Sequence, residues 1–440
     1  MNTRSKFFIM IMLSIIWLLF SILISINWLR DLSKIFGLTL SIIIVSGIAY
    51  IPGYICMNLL YSLILIDKNR YLSNYQEILL NHFPNFVVTI LIPVHNEEKT
   101  IYKVLESINN QIYNGKITVI VIDNNSTDRT NQKVYEAIRK FNLPIKLIHE
   151  SKKGKNHALN EGLKHVRTKH FITLDADTYL HKNAISFIVE RMLISNLLNN
   201  VVAIAGSVLV FNDTDSIITR IQKYDYLLSI NSVKRMQGLF HSTLVAQGAF
   251  SIYKTKEIKK IDGWNDCIGE DIVLTWLLLE KGFCVLFEPR AISYTCVPKT
   301  LKAFIIQRVR WARGMIEGLK HVFPLKQGNI YSKYLTSIDL VIPYIDISYL
   351  LFFLPGVILA FMGKFYIVGF LTLLVIPITV FSHFMMYHIE KREVLKPLNI
   401  HLKLYFWEYI IFILSFQSLN SFSSIIGYIQ ELFNFKRRWK

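Results

Sequence analysis

Two long apolar runs near the N-terminus constrain the fold of this chain most, because a helix of about 20 apolar residues crosses a bilayer. They extend from Phe7 to Trp28 and from Gly37 to Ile66, and Pro52-Gly53 interrupts the second. Arg4 and Lys6 precede the first run, and flanking basic residues favour the cytoplasmic side. A cleaved signal peptide is the alternative, but the run is long for one and lacks a small-residue cleavage site. We therefore expect two N-terminal spans.

Three more apolar runs near the C-terminus are candidate spans: Ile338 to Met362, Tyr366 to Tyr387 and Leu404 to Ile429. Asp339 and Asp346 fall in the first of them. Charges inside a span are costly, so the first half of this run could lie along the membrane interface instead of crossing the bilayer. Three full spans would place the basic tail 436–440 outside, against the positive-inside rule. The number of C-terminal spans is therefore two or three.

The composition also indicates a membrane protein, since 52% of the 440 residues are hydrophobic. The formal net charge of +18 would suit a nucleic-acid-binding protein, but the number of candidate spans excludes that class. We place the basic excess on the cytoplasmic face, beside anionic headgroups of the lipid bilayer. The predicted organisation is two spans in 1–66, a linker in 67–85, a cytoplasmic domain in 86–323 and C-terminal spanning or interfacial helices in 324–440.

The middle domain alternates short apolar runs with helical patterns, which predicts an α/β fold with a mainly parallel sheet covered on both faces. The predicted strands are Val87 to Ile92, Ile117 to Ile122, Ile145 to Ile148, Phe171 to Leu174 and Val201 to Phe211. The predicted helices between the first four are Lys99 to Asn110, Asp128 to Phe141 and Lys155 to Arg167. Ligands of such folds bind at the carboxyl ends of the strands, so the functional residues are expected there.

Polar clusters follow three of these strands. Asn96-Glu97-Glu98 follows the first, and Asp123 and 124–128 follow the second. Either cluster could simply cap a helix, but their recurrence at neighbouring strand ends favours a binding site. Asp123 is suited to accept a hydrogen bond from the N–H of a nucleobase.

Asp175-Ala176-Asp177 directly follows the buried fourth strand. Two carboxylates this close repel each other unless a cation lies between them. Mg²⁺ or Mn²⁺ bound by one or two carboxylates usually also binds phosphate oxygens. The pair therefore predicts a metal-bound diphosphate substrate.

The motifs taken together resemble the processive membrane family-2 glycosyltransferases, which include cellulose, chitin and hyaluronan synthases. The resemblance rests on six ordered segments: 92–98, 123–128, 154–160, 175–177, 269–271 and Gln307-Arg308-Val309-Arg310-Trp311. The segments 270–276, 287–291 and 297–301 look most like poly-β-1,6-N-acetylglucosamine synthases. The resemblance implies a GT-A-type nucleotide-sugar domain inserted between transmembrane helices of a bacterial-type inner membrane.

The resemblance also implies roles for individual residues. It makes Asp271 the catalytic base, with helix capping by Glu270 and Asp271 as the alternative. Asp177 and Asp175 would hold the metal, while Asp123, Glu97, Lys155 and Asp175 would bind the nucleotide. Gln307 and Arg310 would meet the diphosphate, and Trp311 would stack on the acceptor sugar. Gln247, Gly248 and Glu270 would lie near the acceptor, and a basic membrane-surface helix is the alternative for Arg308, Arg310 and Arg313.

The implied reaction is inverting, metal-dependent transfer of a sugar, predicted to be N-acetylglucosamine, from a UDP-sugar to a growing polysaccharide. Export of the polymer and accessory subunits are further expectations. Asp339, Asp346, Gln417 and Asn420 either line an export channel or join helices. The chain departs from the family at His95, Asn124 and Gly269, which leaves the donor sugar open. A non-processive transferase to a polyprenyl phosphate and a non-catalytic export conduit are the competing functions.

Overall fold

The computed structural model describes residues 2–66, 86–195, 200–368 and 375–435. The predicted linker 67–85 and the basic tail 436–440 lie outside the described residues.

Eight strands form one sheet within the described residues, in the order β3-β2-β1-β4-β7-β6-β8-β5. The strands are β1 Val87–Val94, β2 Lys116–Asp123, β3 Ile145–His149, β4 His170–Leu174, β5 Thr178–Leu180, β6 Val201–Val210, β7 Phe250–Lys254 and β8 Cys284–Thr295. All five predicted strands are present, because each is a run of β-branched and aromatic residues bounded by turn-forming residues.

The sheet has a parallel half and a mixed half. β3, β2, β1 and β4 pair in parallel, as predicted. β7 runs antiparallel to both of its neighbours, β4 and β6, and β5 runs antiparallel to β8. β6 and β8 pair in parallel over almost their whole length. The prediction of a mainly parallel sheet is therefore confirmed, with an antiparallel insertion that the apolar pattern did not indicate.

Helices cover both faces of the sheet and flank it at either end of the chain. In chain order they are α1 Thr3–Phe36, α2 Leu38–Val45, α3 Ile51–Ile64, α4 Ile101–Asn109, α5 Thr130–Lys140, α6 Lys155–His165, α7 Ala184–Ser195, α8 Ile217–Tyr224, α9 Asn231–Leu239, α10 Thr255–Lys259, α11 Glu270–Glu280, α12 Leu301–His321, α13 Ile330–Ser348, α14 Leu354–Phe361, α15 Val375–Glu390 and α16 Phe406–Leu432. Ile90 and Ile92 point into the core on one face of β1, whereas Leu91 points into the core on the other. Burial of both faces explains why these strands are continuously apolar.

Four helices are long and apolar enough to cross a membrane in the described part of the chain: Thr3–Phe36, Leu38–Ile64, Ile330–Phe361 and Phe406–Leu432. They match four of the five predicted runs. The helix that begins at Ile330 continues without a break through Asp339 and Asp346. The remaining run, Tyr366 to Tyr387, is described only in part, and α15 accounts for its second half.

Two buried contacts attach the sheet domain to these apolar helices. Arg235 of α9 pairs with Glu390 of α15 at 2.9 Å and with Glu393 at 3.2 Å. α12 packs along α16, where Gly427 lies so close that an added Cβ would be 2.6 Å from the carbonyl oxygen of Val309. The first contact holds α9 against α15, and the second holds α12 against α16.

His170 at the start of β4 gives a pH-dependent stability that can be measured. It is buried, and neither ring nitrogen has a hydrogen-bond partner among the described residues. Burial, with lesser contributions from Lys254 and Lys169, lowers the pKa of His170 to about 4. Because the unfolded state binds this proton first, stability is lost as pH falls below the ordinary histidine pKa, by at most about 2 kcal/mol at pH 5.

We therefore expect His170→Phe to flatten the fall of the unfolding temperature between pH 7 and pH 5. Phenylalanine keeps the ring that packs 5.1 Å from the ring of Phe86 but cannot take up a proton. Thermal unfolding of the detergent-solubilised protein across this pH range checks the expectation. Parallel declines for the variant and the wild type would contradict it.

Candidate active site

The loops after β1 and β2 are joined to each other by hydrogen bonds. Asn96, which has a positive φ of 56°, receives a bond from the Thr127 N–H to its Oδ1 at 2.8 Å. Its own N–H donates to Ser126 Oγ at 3.1 Å, and the Glu97 N–H donates to Thr130 Oγ1 at 2.7 Å. The structure thus brings the two predicted clusters together at one edge of the sheet.

Asp123, at the end of β2, is almost fully buried. Its Oδ1 accepts the Ser126 N–H at 3.0 Å, and its Oδ2 accepts bonds from Asn131 Nδ2 at 3.2 Å and His149 Nδ1 at 3.0 Å. Burial alone would raise the pKa of Asp123, but these hydrogen bonds outweigh it and lower the pKa below its ordinary value. The carboxylate is therefore ionised, and its position at a strand end suits contact with a nucleotide.

Asn124 explains one departure from the family pattern. Its Oδ1 accepts the Gly154 N–H at 2.8 Å, while its Nδ2 donates to the carbonyl oxygens of Glu150 and Lys152 at 2.9 and 2.8 Å. The side chain thus fixes the loop that leads into α6. Lys155, the first residue of α6, is positioned as a consequence.

Lys155 extends its ammonium group into an acidic cluster. Its Nζ lies 2.5 Å from Asp175 Oδ1 and 3.7 Å from Glu270 Oε1. Burial lowers the pKa of Lys155, but the Asp175 and Glu270 carboxylates outweigh this and hold it above its ordinary value. Burial in turn raises the pKa of Glu270 to about 7, although the charges of Lys155 and Arg310 oppose the increase. Residues 155, 175 and 270, which are far apart in the sequence, therefore form one charged cluster.

Asp177 is the other carboxylate predicted to hold a metal. Burial, followed by the Asp175 and Glu97 carboxylates, raises the pKa of Asp177 to about 6. The charge of Lys155 opposes this increase but does not cancel it. No group of three or more His, Cys, Asp and Glu side chains arranged for a metal ion occurs among the described residues. Two carboxylates nevertheless fit Mg²⁺ or Mn²⁺, because such ions complete their shell with substrate phosphates and water.

Asp271 occupies the first turn of α11, one residue after Glu270. Its Oδ2 accepts the Gly248 N–H at 3.4 Å, and its Oδ1 accepts the Ile272 N–H at 2.9 Å. Gly248 in turn lies against Lys155, since an added Cβ would be 2.7 Å from Lys155 Nζ. Asp271 therefore lies next to the acidic cluster, on the other side of the Gly248 contact, although one of its oxygens bonds to the first turn of the helix.

The side chain of Gln247 binds a backbone carbonyl group. Its Nε2 donates to the carbonyl oxygen of Gly206 at 2.6 Å, which ties the segment before β7 to β6. Its Oε1 has no hydrogen-bond partner among the described residues. A direct role at the acceptor stays a prediction.

The predicted diphosphate and acceptor residues lie on α12. Arg310 is exposed, and Gln307 and Trp311 are half-buried. Trp311 packs against the cluster that contains Val208 and Val210 of β6, and the charge of Arg310 acts on Glu270. The membrane-surface interpretation is wrong for Arg308 and Arg313, which are both buried. Arg308 pairs with Asp225 at 2.8 Å, and Arg313 pairs with Glu431 of α16 at 3.2 Å.

Glu317 is a candidate site residue that the sequence analysis missed. Its Oε2 accepts the N–H groups of Ile268 and Gly269 at 2.7 and 2.9 Å, and the side chain is buried. Gly269 is the cap of α11, so a carboxylate of α12 fixes the start of the helix that carries Asp271. The available signal was spacing, because positions 310, 314 and 317 lie on one face of a helix.

Gly269 and Gly314 allow α11 and α12 to approach backbone to backbone. A Cβ on Gly314 would lie 2.8 Å from the Cα of Gly269, and one on Gly269 would lie 2.5 Å from the Cα of Gly314. This contact explains why the chain has glycine at 269. It also sets the distance between Asp271 and the side chains of α12.

We expect Gly314→Ala to lower the turnover number of the sugar transfer that the motifs imply by up to about 100-fold. The added Cβ would push α12 away from α11, and moving catalytic groups by about 1 Å has effects of this size. Gly53→Ala is the matched control, since its Cβ would meet its nearest neighbour at an ordinary 3.4 Å. Initial rates of the two purified variants test this. Equal rates would mean that the helix contact does not govern the reaction.

Comparison with known proteins concerns the middle of the chain. Residues 89–262 match the family model described as Glycosyl transferase family 2. Poly-beta-1,6-N-acetyl-D-glucosamine synthase of Staphylococcus epidermidis is 32% identical over 238 residues, which cover 54% of this chain and 56% of that protein. The enzyme of the same name from Staphylococcus aureus strain COL is 32% identical over 237 residues, with the same coverage. The chain thus matches about half the length of these curated relatives.

A solved structure supports the fold. The mannosyltransferase PcManGT from Pyrobaculum calidifontis, in complex with GDP-Man and Mn²⁺, superimposes with a TM-score of 0.53 at 15% identity. The alignment covers 88% of this chain and 99% of that one. The GT-A-type fold expected from the motifs is confirmed by this likeness.

Proposed function

Because residues 89–262 form a glycosyl transferase family 2 domain, we propose that the chain transfers N-acetylglucosamine from UDP-GlcNAc to a growing β-linked polysaccharide. The observation that carries the proposal is the convergence of Lys155, Asp175, Glu270 and Asp271 in one cluster around Gly248. The choice of sugar rests on the similarity to the staphylococcal synthases over the catalytic region.

Asp271 is assigned the role of general base. A hydroxyl of the acceptor attacks the anomeric carbon of the donor on the face opposite UDP, so the new C–O bond forms as the bond to UDP breaks and the configuration inverts. The Asp271 carboxylate takes up the proton of the attacking hydroxyl. Glu270, with a pKa raised to about 7 chiefly by burial, lies between Asp271 and Lys155 and shapes the local field. Gly248 keeps the approach open, because any side chain there would collide with Lys155.

The leaving UDP is held by charges on both sides. Asp175 and Asp177 would hold a Mg²⁺ or Mn²⁺ ion, which when bound supplies Lewis-acid stabilisation of the diphosphate. Lys155 and the exposed guanidinium of Arg310 add positive charge, and a planar guanidinium pairs well with phosphate oxygens. Asp123 and Glu97 are assigned to the nucleotide side, Gln307 to the diphosphate beside Arg310, and Trp311 to the acceptor.

Processive synthesis with export is the extension of this proposal. α12 carries the acceptor residues and packs directly on α16, so a polymer leaving Trp311 would start beside the apolar helices. Asp346, however, is already bound, because its Oδ1 accepts Ser421 Oγ at 2.6 Å and its Oδ2 accepts Tyr428 O–H at 2.7 Å. These bonds favour a helix-joining role for Asp346 over a channel-lining one.

The proposed activity is tested with detergent-purified protein given UDP-GlcNAc, UDP-Glc or UDP-GlcA, each with Mg²⁺, Mn²⁺ or chelator. We expect cation-dependent UDP release with UDP-GlcNAc and a high-mass product that contains N-acetylglucosamine. A lipid-linked monosaccharide would indicate a non-processive transferase instead. Absence of release with every donor and with added lipid would contradict a transferase and favour a conduit.

A further inference from the structure

Arg308 is the most completely enclosed cation of α12. Its side chain is about 5% exposed, and its Nη2 donates to Asp225 Oδ2 at 2.8 Å. Three aromatic rings surround the guanidinium, whose carbon lies 4.2 Å from the ring centroid of Trp311, 5.0 Å from that of Phe304 and 5.4 Å from that of Phe416. Phe416 belongs to α16, so this one side chain joins the sheet domain, α12 and the last apolar helix.

Trp311 is held between two partners. Arg308 lies over its ring, and Tyr226 packs against it with the ring centroids 6.4 Å apart. Tyr226 directly follows Asp225, and both residues belong to a π-helical segment, Asp225–Ile230, between α8 and α9. A π-helical turn inserts one residue and re-aims side chains, and such turns often occur at functional sites. The same turn thus supplies the counter-ion for Arg308 and the second contact of Trp311.

Stability alone is a poor reason for this arrangement. A buried ion pair is often no more stabilising than apolar residues of similar volume, because both charges lose their hydration. Here the loss is incompletely compensated, since Arg308 Nε has no hydrogen-bond acceptor in the described part of the chain. A planar cation stacked on an indole ring does, however, fix the orientation of that ring.

We propose that Arg308 is a positioning residue that fixes the ring plane of Trp311 for the acceptor sugar, anchored by Asp225 and supported by Phe416. The proposal rests on the proposed transferase function, in which Trp311 stacks on the acceptor. Arg308 itself does not reach substrate. Its effect is to hold the Trp311 ring in the orientation in which the acceptor sugar stacks on it. The stacked acceptor then excludes water from the donor while the glycosyl group is transferred.

Arg308→Lys is the appropriate test because lysine keeps the positive charge opposite Asp225 but loses the flat group that stacks on Trp311. We expect the acceptor KM to rise by about fivefold to about 30-fold, the range expected for loss of one desolvated stacking contact. The donor KM should stay within about twofold of the wild type. The fraction of UDP released by hydrolysis instead of transfer should increase.

Arg313→Lys is the matched control. Arg313 lies on the same helix, is equally buried and pairs with the carboxylate of Glu431, but none of its described contacts involves Trp311. The substrates are UDP-GlcNAc and a β-1,6-linked N-acetylglucosamine oligosaccharide at varied concentration. Equal acceptor KM values and equal hydrolysis fractions for the two variants would overturn the proposal.

A measurement independent of turnover separates this proposal from the proposed function. Protein labelled with 5-fluorotryptophan has seven tryptophan positions, and the ¹⁹F resonance of Trp311 is assigned with Trp311→Phe. We expect Arg308→Lys and Asp225→Asn to shift or broaden that resonance, and Arg313→Lys to leave it unchanged. An unchanged Trp311 resonance in folded Arg308→Lys protein overturns the positioning role even if the wild type transfers no sugar. A wild type that transfers no sugar, with the shift present, would instead refute the transferase function.

Discussion

Replacing Asp271 by asparagine is expected to lower sugar transfer by about 10²- to 10⁴-fold, the usual contribution of a positioned general base. Asparagine has the same shape, and its single amide oxygen can keep one of the two N–H bonds that the separate carboxylate oxygens accept from Gly248 and Ile272. It cannot, however, take up the proton of the attacking hydroxyl. The loss should therefore appear in the turnover number, with the donor KM close to the wild-type value.

The measurement is UDP release at saturating donor, combined with donor binding by the inactive variant. Glu280→Gln, at the other end of α11, removes a carboxylate from the same helix without touching the acidic cluster and should stay near wild-type activity. Retention of more than about a tenth of the activity by Asp271→Asn would exclude Asp271 as the base. Loss of donor binding would assign it to the nucleotide side instead.

Replacing Asp177 by asparagine is expected to lower cation-stimulated UDP release by about 10²-fold or more, because a metal that stabilises a leaving diphosphate contributes several kcal/mol. An amide oxygen is a weaker ligand than a carboxylate for these hard cations. Raising the Mn²⁺ concentration should therefore recover part of the lost rate. The same addition should not rescue Asp271→Asn, which distinguishes a ligand from a base.

Asp262→Asn provides the control for general effects of losing an aspartate, since its positive φ of 59° suits asparagine well. The variants are compared over a cation titration with a chelator blank. Full activity of Asp177→Asn at low cation concentration would show that Asp177 is not a ligand. Activity of the wild type in chelator would remove the metal from the proposal altogether.

The strands β1, β4 and β6 were predictable because each one is a mostly apolar run with both faces largely buried. Val201 to Phe211 was predicted within one residue of β6, and Phe171 to Leu174 within one residue of β4. β7 was not predicted, because Phe250–Lys254 is short and alternates Phe250, Ile252 and Lys254 with Ser251 and Tyr253. Its place between β4 and β6 depends on the closure of a long connection, which leaves no local pattern.

The residues of the candidate site also fall into those that the sequence predicted and those that it did not. Asp175, Asp177, Asp271 and Arg310 belong to short motifs and could be predicted from neighbouring residues. Glu317 could not, because the N–H groups that it binds lie 48 and 49 residues earlier in the chain. Arg308 and Arg313 were visible as basic residues, but their carboxylate partners at 225 and 431 became evident only from the packing of α12.

The sequence by itself therefore determined the apolar helices at both ends, the alternating middle domain and the residues able to carry the chemistry. These properties follow from local periodicity and residue type, which act over a few positions. Tertiary structure alone decided which carboxylates surround Lys155, how closely α11 approaches α12, and which buried acid each arginine meets. Such pairings join residues far apart in the chain, and they are selected by the packing of whole elements, where an unpaired buried charge is too costly to keep.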